Sequence, residues 1–219
     1  MPHPLRDCLL TFYSLYSGFT VSALASFRRR IAPIARPVRS SLGGWARARR
    51  RARYLRDGIE GIAMELRTTT NAHAAILREF GATVGKNLSV GGPIHVVNAD
   101  GDFRRLHFGD NVHLGADTLI DLADDVWIGD NATLSMRSSL ITHMDVGPGP
   151  LRERRPRQQG PVRIEPGAYL GIGATILHGV TVGTEATVGA HALVDRDIAP
   201  KATVLAPRAR LASIDQPSP

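Results

Sequence analysis

Eight histidines are the side chains of this 219-residue chain that could exchange a proton near neutral pH. His143 differs from the rest because it stands in "LITHMDVG", directly before an arginine-rich stretch, residues 145–160, that interrupts a regular repeat. A side chain at such an interruption can face an open cleft, where a neutral imidazole can take a proton from an attacking hydroxyl. The other histidines have positions typical of surface or packing side chains: His3, His73, His95, His107, His113, His178 and His191.

Two aspartates near His143 are its candidate partners. Asp121 begins a turn that two extra residues enlarge, and Asp145 follows His143 by two positions. Either carboxylate could orient the imidazole or accept hydrogen bonds from the hydroxyls of an acceptor, and we predict both as acceptor contacts. The alternative is that each is an ordinary turn-forming aspartate.

The elements that must position these residues are coils with a six-residue period, which fits neither an α-helix nor an ordinary strand. Glycine often follows the periodic aliphatic residue, and the fifth position of each hexad is usually small or β-branched. A three-sided solenoid explains the pattern, since the aliphatic side chain points inward and a tight corner follows it. The clearest series is Ile164, Leu170, Ile176, Val182, Val188 and Val194.

This run of hexads resembles the left-handed β-helix acyltransferases, also called hexapeptide-repeat transferases, and is most similar to their sugar O-acetyltransferase branch. The resemblance covers residues 81–211 and depends on the hexads, on the histidine before a protruding loop, and on the array "PVRIEPGAYLGIGATILHGVTVG". It implies a left-handed helix, a homotrimer, and direct transfer of an acetyl group from acetyl-CoA to a hydroxyl of a sugar or polysaccharide precursor. That reaction needs no metal.

The same resemblance implies roles for individual residues. His143 would be the general base in a ternary complex, and the backbone N–H of Gly171 or Ile172 would stabilise the oxyanion. Asp121 and Asp145 would contact the acceptor. The residues expected to bind acyl-CoA are Tyr169, Gly189, Ala190, Arg196, Lys201, Arg208 and Arg210.

The N-terminal segment has a different character from the repeat. Residues 1–67 hold 13 of the 27 basic side chains and 4 of the 20 acidic ones, a net charge of +9 in a chain of net charge +7. The uncharged stretch 8–27 could pack on the protein or a partner subunit, lie in a membrane interface, or span a bilayer. Residues 45–67 and 71–80 are predicted helices, and the breaker-rich stretch 35–44 is predicted to be a linker.

We therefore divide the chain into a basic helical segment (1–80), a left-handed β-helix (81–211) with a protruding loop at 145–160, and a tail (212–219). A single cysteine, Cys8, and no clear cleavable signal pattern favour the cytoplasm. Residues 1–67 could add peripheral contact with the inner membrane face. No zinc-ligand spacing or helix-turn-helix supports binding to nucleic acid.

Two other functions fit a hexapeptide solenoid. Carbonic anhydrases of the γ class bind zinc through three histidines, but no second histidine lies four or five residues after His143. A non-catalytic scaffold that docks its basic segment on a membrane surface or an acidic partner would explain the charge asymmetry. It would not explain a histidine at the edge of an interrupted coil.

Overall fold

The computed structural model describes the backbone of residues 21–69 and 71–208, and the side chains of residues 43–69 and 71–208. Most of the uncharged stretch 8–27, Arg210 and the tail 212–219 lie outside these residues. The chain forms two compact units, Met1–Ala52 and Arg53–Pro219. Among the described residues, no helix has the length and apolar character needed to cross a membrane.

The described residues form three α-helices: α1 (Val21–Leu66), α2 (His73–Glu79) and α3 (Leu151–Arg154). The predicted linker at 35–44 is wrong, because α1 continues through it. Glycine and proline lower helix stability without forbidding the helix. The helical geometry breaks instead at Gly58, whose φ of 65° and ψ of −161° are accessible chiefly to glycine.

Short parallel strands form three sheets, which we call A, B and C in the order in which the chain visits them. Sheet A contains β1 (Thr83–Val84), β4 (Leu106–Phe108), β7 (Val126–Ile128), β12 (Val162–Ile164) and β15 (Thr181–Val182). Sheet B contains β2 (Ser89–Val90), β5 (His113–Leu114), β8 (Thr133–Leu134), β13 (Tyr169–Leu170), β16 (Thr187–Val188) and β18 (Thr203–Val204). Sheet C contains β3 (Ile94–Val97), β6 (Thr118–Asp121), β9 (Ser139–Leu140), β14 (Thr175–Ile176) and β17 (Leu193–Val194).

The repeated visits to A, B and C make a three-sided solenoid, so the predicted parallel β-helix is confirmed. Strands of successive coils pair in register, and Ile164 lies between Ile128 and Val182. The aliphatic residues of the hexads are buried in one core: Ile164, Leu170, Ile176, Val182, Val188 and Val194. The periodic residue of each hexad is thus the inward-facing residue of its strand.

The corners form three edges along the solenoid. The A–B edge includes residues 109–112, 129–132 and 183–186, and the B–C edge includes 115–117, 135–138, 171–174 and 189–192. The C–A edge includes residues 98–105, 122–125, 141–161 and 195–197. Close approach of coils explains some corner glycines, since a Cβ on Gly115 would lie 2.3 Å from the Met136 nitrogen.

An aromatic cluster covers the N-terminal end of the solenoid. The ring of Phe80, just after α2, lies 5.4 Å from that of Tyr54 and 6.5 Å from that of Phe103. The Phe103 amide donates to the Phe80 carbonyl at 2.8 Å, which ties the first coil to α2.

The solenoid is interrupted once, on the C–A edge. There β10 (His143–Met144) and β11 (Gln158–Gln159) pair antiparallel as a two-stranded ribbon, and α3 lies in the loop between them. This ribbon is the base of the protruding loop predicted at 145–160, and His143 is its first residue.

Candidate active site

His143 is held at the C–A edge by the strand that precedes it. Strand β9 ends at Leu140, Thr142 is fully buried, and the imidazole of His143 is 23% exposed. The residues 122–125 of the coil below enlarge the same edge, and the Asp124 amide donates to the Thr142 hydroxyl at 3.1 Å. The imidazole is therefore anchored on one side and open to solvent on the other.

Asp121 forms the main contact of the His143 side chain. The imidazole Nδ1 lies 2.6 Å from Asp121 Oδ2, and the Asp121 side chain is only 3% exposed. The backbone amides of Thr142 and His143 donate to the same oxygen at 2.9 and 3.1 Å. The Asn98 amide donates to the other oxygen, Oδ1, at 2.7 Å.

These hydrogen bonds keep the Asp121 carboxylate ionised. Burial raises the pKa of Asp121, but the hydrogen bonds from Asn98, His143 and Thr142 outweigh it and hold the pKa below its usual value. A carboxylate can only accept, so the Nδ1 that faces it carries the proton. In a neutral imidazole Nε2 then presents its lone pair, and no described residue forms a hydrogen bond to Nε2. This arrangement is suited to accepting a proton.

This geometry revises the predicted role of Asp121. We expected it to contact an acceptor, but its side chain is buried and both of its oxygens already accept hydrogen bonds from the protein. Asp121 instead has the position of a residue that orients His143. The sequence could not distinguish the two roles, because both place a carboxylate next to the imidazole.

Asp145 and Arg157 flank the ribbon that begins at His143. His143 pairs with Gln159 and Met144 with Gln158, so Asp145 directly follows one paired strand and Arg157 directly precedes the other. Asp145 and Arg157 are partly exposed and form an ion pair at 3.5 Å. The hydrogen bond from the Gly147 N–H and the positive charges of Arg157 and Arg152 lower the pKa of Asp145, while burial opposes them. An accessible carboxylate and an accessible guanidinium thus lie at the base of the loop, next to the ribbon.

Gln159 fixes the ribbon to the coil beneath it. Its side-chain amide donates to the Ala123 carbonyl at 3.0 Å, and its oxygen accepts from Arg157 at 2.9 Å. The base of the loop is therefore fastened next to residues 122–125. Neither Gln159 nor Asn98 was predicted from the sequence, because both lie outside the hexad frame.

The predicted oxyanion donors and part of the predicted acyl-CoA site lie together on the B–C edge. Gly171 and Ile172 occupy one corner, and Gly189 and Ala190 occupy the next corner along the solenoid. The Gly171 N–H already donates to the Val188 carbonyl at 2.7 Å, so it is not free to bind an oxyanion. The Ile172 N–H has no acceptor among the residues described. Of the two predicted oxyanion donors, Ile172 is therefore the one whose N–H is available.

Tyr169 points outward from sheet B beside this edge. Its side chain is 44% exposed, and its hydroxyl accepts a hydrogen bond from Ser135 at 3.0 Å. The edge also exposes the apolar side chains of Met136, Ile172 and Leu205. Tyr169 thus lies on the same edge as several exposed apolar side chains.

The basic residues predicted to bind phosphates are not brought together. Arg196 lies on the C–A edge with Asp195 at 3.0 Å, and this hydrogen bond raises its pKa. Lys201 lies near the A–B edge, 3.7 Å from Glu185. Arg208 follows β18 in the exposed segment that leaves sheet B. Of these three residues, only Arg208 follows a strand of sheet B, as the corner of Ala190 does.

His143 and Ile172 lie on different edges of the same prism. His143 follows a strand of sheet C, whereas Ile172 precedes one, so sheet C separates the two residues. Among the described residues, no three His, Cys, Asp or Glu side chains converge as a metal site would require.

Comparison with known proteins is consistent with this fold. Residues 161–196 match the model of the bacterial transferase hexapeptide (six repeats). The chain is 28% identical over 138 residues to the galactoside O-acetyltransferase of Escherichia coli K12. The matched region covers 58% of this chain and 60% of that protein. It is 27% identical over 124 residues to that of Lactococcus lactis, covering 56% and 58% of the two chains. The chain thus spans about three fifths of the length of these relatives.

Two solved structures share the solenoid. A hexapeptide-repeat acetyltransferase of Vibrio cholerae, complexed with acetyl coenzyme A, aligns with a TM-score of 0.58 at 23% identity, covering 71% of this chain and 84% of that one. A galactoside acetyltransferase in complex with coenzyme A aligns with a TM-score of 0.57 at 22% identity, covering 67% and 74%. At these identities the structures support the fold. The repeat at residues 161–196 and the curated relatives show that the chain is similar to the hexapeptide-repeat acyltransferases, as the sequence predicted.

Proposed function

We propose that this protein is an acetyl-CoA-dependent O-acetyltransferase that acetylates a hydroxyl of a sugar or polysaccharide precursor. The observation that carries the proposal is the 2.6 Å contact between His143 Nδ1 and the buried Asp121 carboxylate at the interrupted coil. The names of the curated relatives, both galactoside O-acetyltransferases, support the same reaction class and a sugar acceptor.

In this mechanism the acceptor oxygen attacks the thioester carbonyl carbon while His143 Nε2 takes the hydroxyl proton. A C–O bond forms, and the carbonyl oxygen becomes an oxyanion that a backbone N–H stabilises. The intermediate then collapses with cleavage of the C–S bond, and the imidazolium returns its proton to the leaving thiolate. Asp121 holds the imidazole in the reactive tautomer and stabilises its positive charge.

The separation of His143 from Ile172 supports a site built between two copies of the chain. The C–A edge of one copy would supply His143, and the B–C edge of its neighbour would supply the Ile172 N–H. A closed ring of three such contacts gives a homotrimer. Light scattering should then report about three times 23.6 kDa, and a fully active monomer would contradict this arrangement.

For acyl-CoA we propose the B–C edge, with the pantetheine arm passing Tyr169, Gly189 and Ala190. Arg208 is the preferred phosphate contact in the described chain. Arg196 and Lys201 lie on other edges, so each would contribute only from a neighbouring copy. For the acceptor we propose Asp145, because its carboxylate is accessible and it directly follows the strand that begins at His143.

Ligand binding and turnover test the proposed reaction in sequence. Acetyl-CoA should raise the melting temperature in a concentration-dependent way, because a ligand that binds only the folded state stabilises it. A panel of glycosides should then show acceptor-dependent release of the CoA thiol, with the acetyl ester identified by mass spectrometry. Neither stabilisation by acetyl-CoA nor ester formation with any glycoside would contradict the proposal.

The basic N-terminal segment supports a second proposal, peripheral contact with anionic membrane at the cytoplasmic face. In α1 the side chain of Trp45 is 79% exposed, and Arg47, Arg49 and Arg51 are also exposed. Each well-placed basic residue contributes about 1 kcal/mol at an anionic surface. Changing the three arginines to glutamine should reduce sedimentation with phosphatidylserine vesicles, whereas the same change at Arg152, Arg154 and Arg155 should not. Equal sedimentation of both variants and the parent would contradict this contact.

A further inference from the structure

Asn98 reaches the Asp121–His143 pair from an earlier coil. It directly follows β3, whose Val97 pairs with Asp121 of β6. Its backbone is left-handed, with φ of 56°, a conformation that asparagine tolerates better than most residues. From this corner its side-chain amide donates to Asp121 Oδ1 at 2.7 Å. A chain of hydrogen bonds therefore runs from Asn98 through Asp121 to His143.

The two oxygens of Asp121 have different partners. Oδ2 receives the His143 imidazole, while Oδ1 receives Asn98 and, at the longer distance of 3.3 Å, the Ala123 amide. Because the carboxylate is planar, a partner that fixes Oδ1 also fixes the rotation of the group, and hence the direction in which Oδ2 meets Nδ1. Asn98 provides the shorter of the two contacts to Oδ1, and the backbone amides of Thr142 and His143 hold Oδ2.

We propose that Asn98 is a positioning residue for the transfer reaction: its amide holds the Asp121 carboxylate in the orientation that keeps His143 in the Nδ1-protonated form. This inference depends on the proposed function, since it assigns Asn98 a role through the base of that reaction. The burial of Asp121 strengthens the effect, because little water is available to replace a lost hydrogen bond.

A purely structural role is the alternative, and the same chain offers a comparison. Asn87, Asn111 and Asn131 also occupy left-handed corners, but on the A–B edge, where their side-chain amides bond to one another at 2.9 and 3.2 Å. Those three form a ladder that stabilises the corners. Asn98 differs because its amide donates to a carboxylate that contacts the candidate base.

The matched variants are Asn98→Gly and Asn111→Gly. Glycine keeps the left-handed backbone at either corner and removes only the side-chain amide. With acetyl-CoA and an acceptor glycoside, Asn98→Gly should lower kcat by about 10- to 100-fold, the scale expected from a misplaced reacting group. The KM values for both substrates should stay within about twofold of the parent, since Asn98 touches neither substrate. Asn111→Gly should keep the parent kcat.

A second readout needs no acceptor. Nitrogen-15 NMR of histidine-labelled protein should show His143 with Nδ1 protonated in the parent and in Asn111→Gly, and with a mixture of tautomers in Asn98→Gly. The isosteric Asn98→Asp, which replaces the donor by an acceptor, should lose kcat as well and serves if the glycine variant does not fold. Parent values of both kcat and the tautomer signal in these variants would overturn the inference.

The failure of this inference can be told apart from failure of the proposed function. If His143→Ala is inactive while Asn98→Gly has the parent kcat and tautomer, only the role of Asn98 is wrong. If His143→Ala transfers acetyl groups at the parent rate, the proposed mechanism is wrong and Asn98 has no base to position.

Discussion

Replacing Asp121 by asparagine removes the charge beside His143 and leaves the shape of the side chain almost unchanged. Oδ2 accepts hydrogen bonds from the Thr142 amide and hydroxyl at 2.9 and 3.0 Å, and from the His143 amide and Nδ1 at 3.1 and 2.6 Å. Oδ1 accepts from Asn98. An amide has one oxygen for these two sites, so in either orientation its NH2 group faces donors.

The effect on catalysis should be larger than the effect on folding. An NH2 group facing the imidazole favours the tautomer with the proton on Nε2, which cannot accept a proton, and kcat should fall by about 10²- to 10⁴-fold. The buried donors that lose their acceptor should lower the free energy of unfolding by about 2 kcal/mol. Asp121→Asn should therefore remain folded at room temperature with very little activity.

The assay compares Asp121→Asn with Asp145→Asn by CoA release under saturating acetyl-CoA. Asp145 is exposed and two residues from His143, so it controls for loss of a nearby negative charge. The Asp121 variant should lose kcat while keeping its KM for acetyl-CoA. Parent kcat in a folded Asp121→Asn protein would refute the assignment of Asp121 as the residue that orients the base.

Other predictions concern the acceptor, the core and pH. Asp145→Asn should raise the KM for the acceptor several-fold with little change in kcat, and an unchanged KM would remove Asp145 from the acceptor site. Leu134→Ala should lower the free energy of unfolding in urea by about 2–5 kcal/mol because Leu134 is fully buried, whereas Leu205→Ala, 71% exposed, should change it by less than about 0.5 kcal/mol. Burial lowers the pKa of His73, which contacts the Leu66 carbonyl at 3.1 Å, below its ordinary value of 6.5. The folded state favours neutral His73, so its contribution to the free energy of unfolding is fully present above pH 6.5 and is lost as the pH falls through the lowered pKa. His73→Gln should therefore reduce the pH dependence of the free energy of unfolding in urea below pH 6.5, and an unchanged pH dependence would contradict this role of His73.

The hexads predicted the solenoid well because each coil repeats one constraint: an inward-facing aliphatic side chain followed by a tight corner. Leu170, Ile176 and Val188 are all fully buried, as their positions in the hexads predict. The same regularity made the interruption visible, and His143 was singled out because it lies where the period fails. A repeat thus reveals candidate functional residues by its exceptions.

The partners of His143 could not be predicted in the same way. Asn98 and His143 lie 23 and 22 residues from Asp121, on neighbouring coils. Which residues meet across coils depends on the exact length of each turn, and the enlarged turn at 122–125 changes that length. The sequence also could not show that the Gly171 N–H donates to the Val188 carbonyl. Val188 belongs to the next coil, and a backbone hydrogen bond does not depend on residue type.

The break in α1 shows a third limit. Two glycines and one proline predicted a linker at 35–44, yet within α1 the helical geometry is lost only at Gly58. Helix propensities are small compared with the effects of surrounding structure, so breaker residues mark places where a helix can end rather than where it must.

The most direct test of His143 as the general base is the rate of acetyl transfer by His143→Ala, compared with the parent and with a control, His113→Ala, which removes an exposed histidine of sheet B. His143 lies at the rim of a coil, so all three proteins should fold and be stabilised by acetyl-CoA. His143→Ala should slow the reaction by about 10²- to 10⁴-fold, whereas His113→Ala should not change it. Transfer at the parent rate by folded His143→Ala would show that this histidine is not the general base.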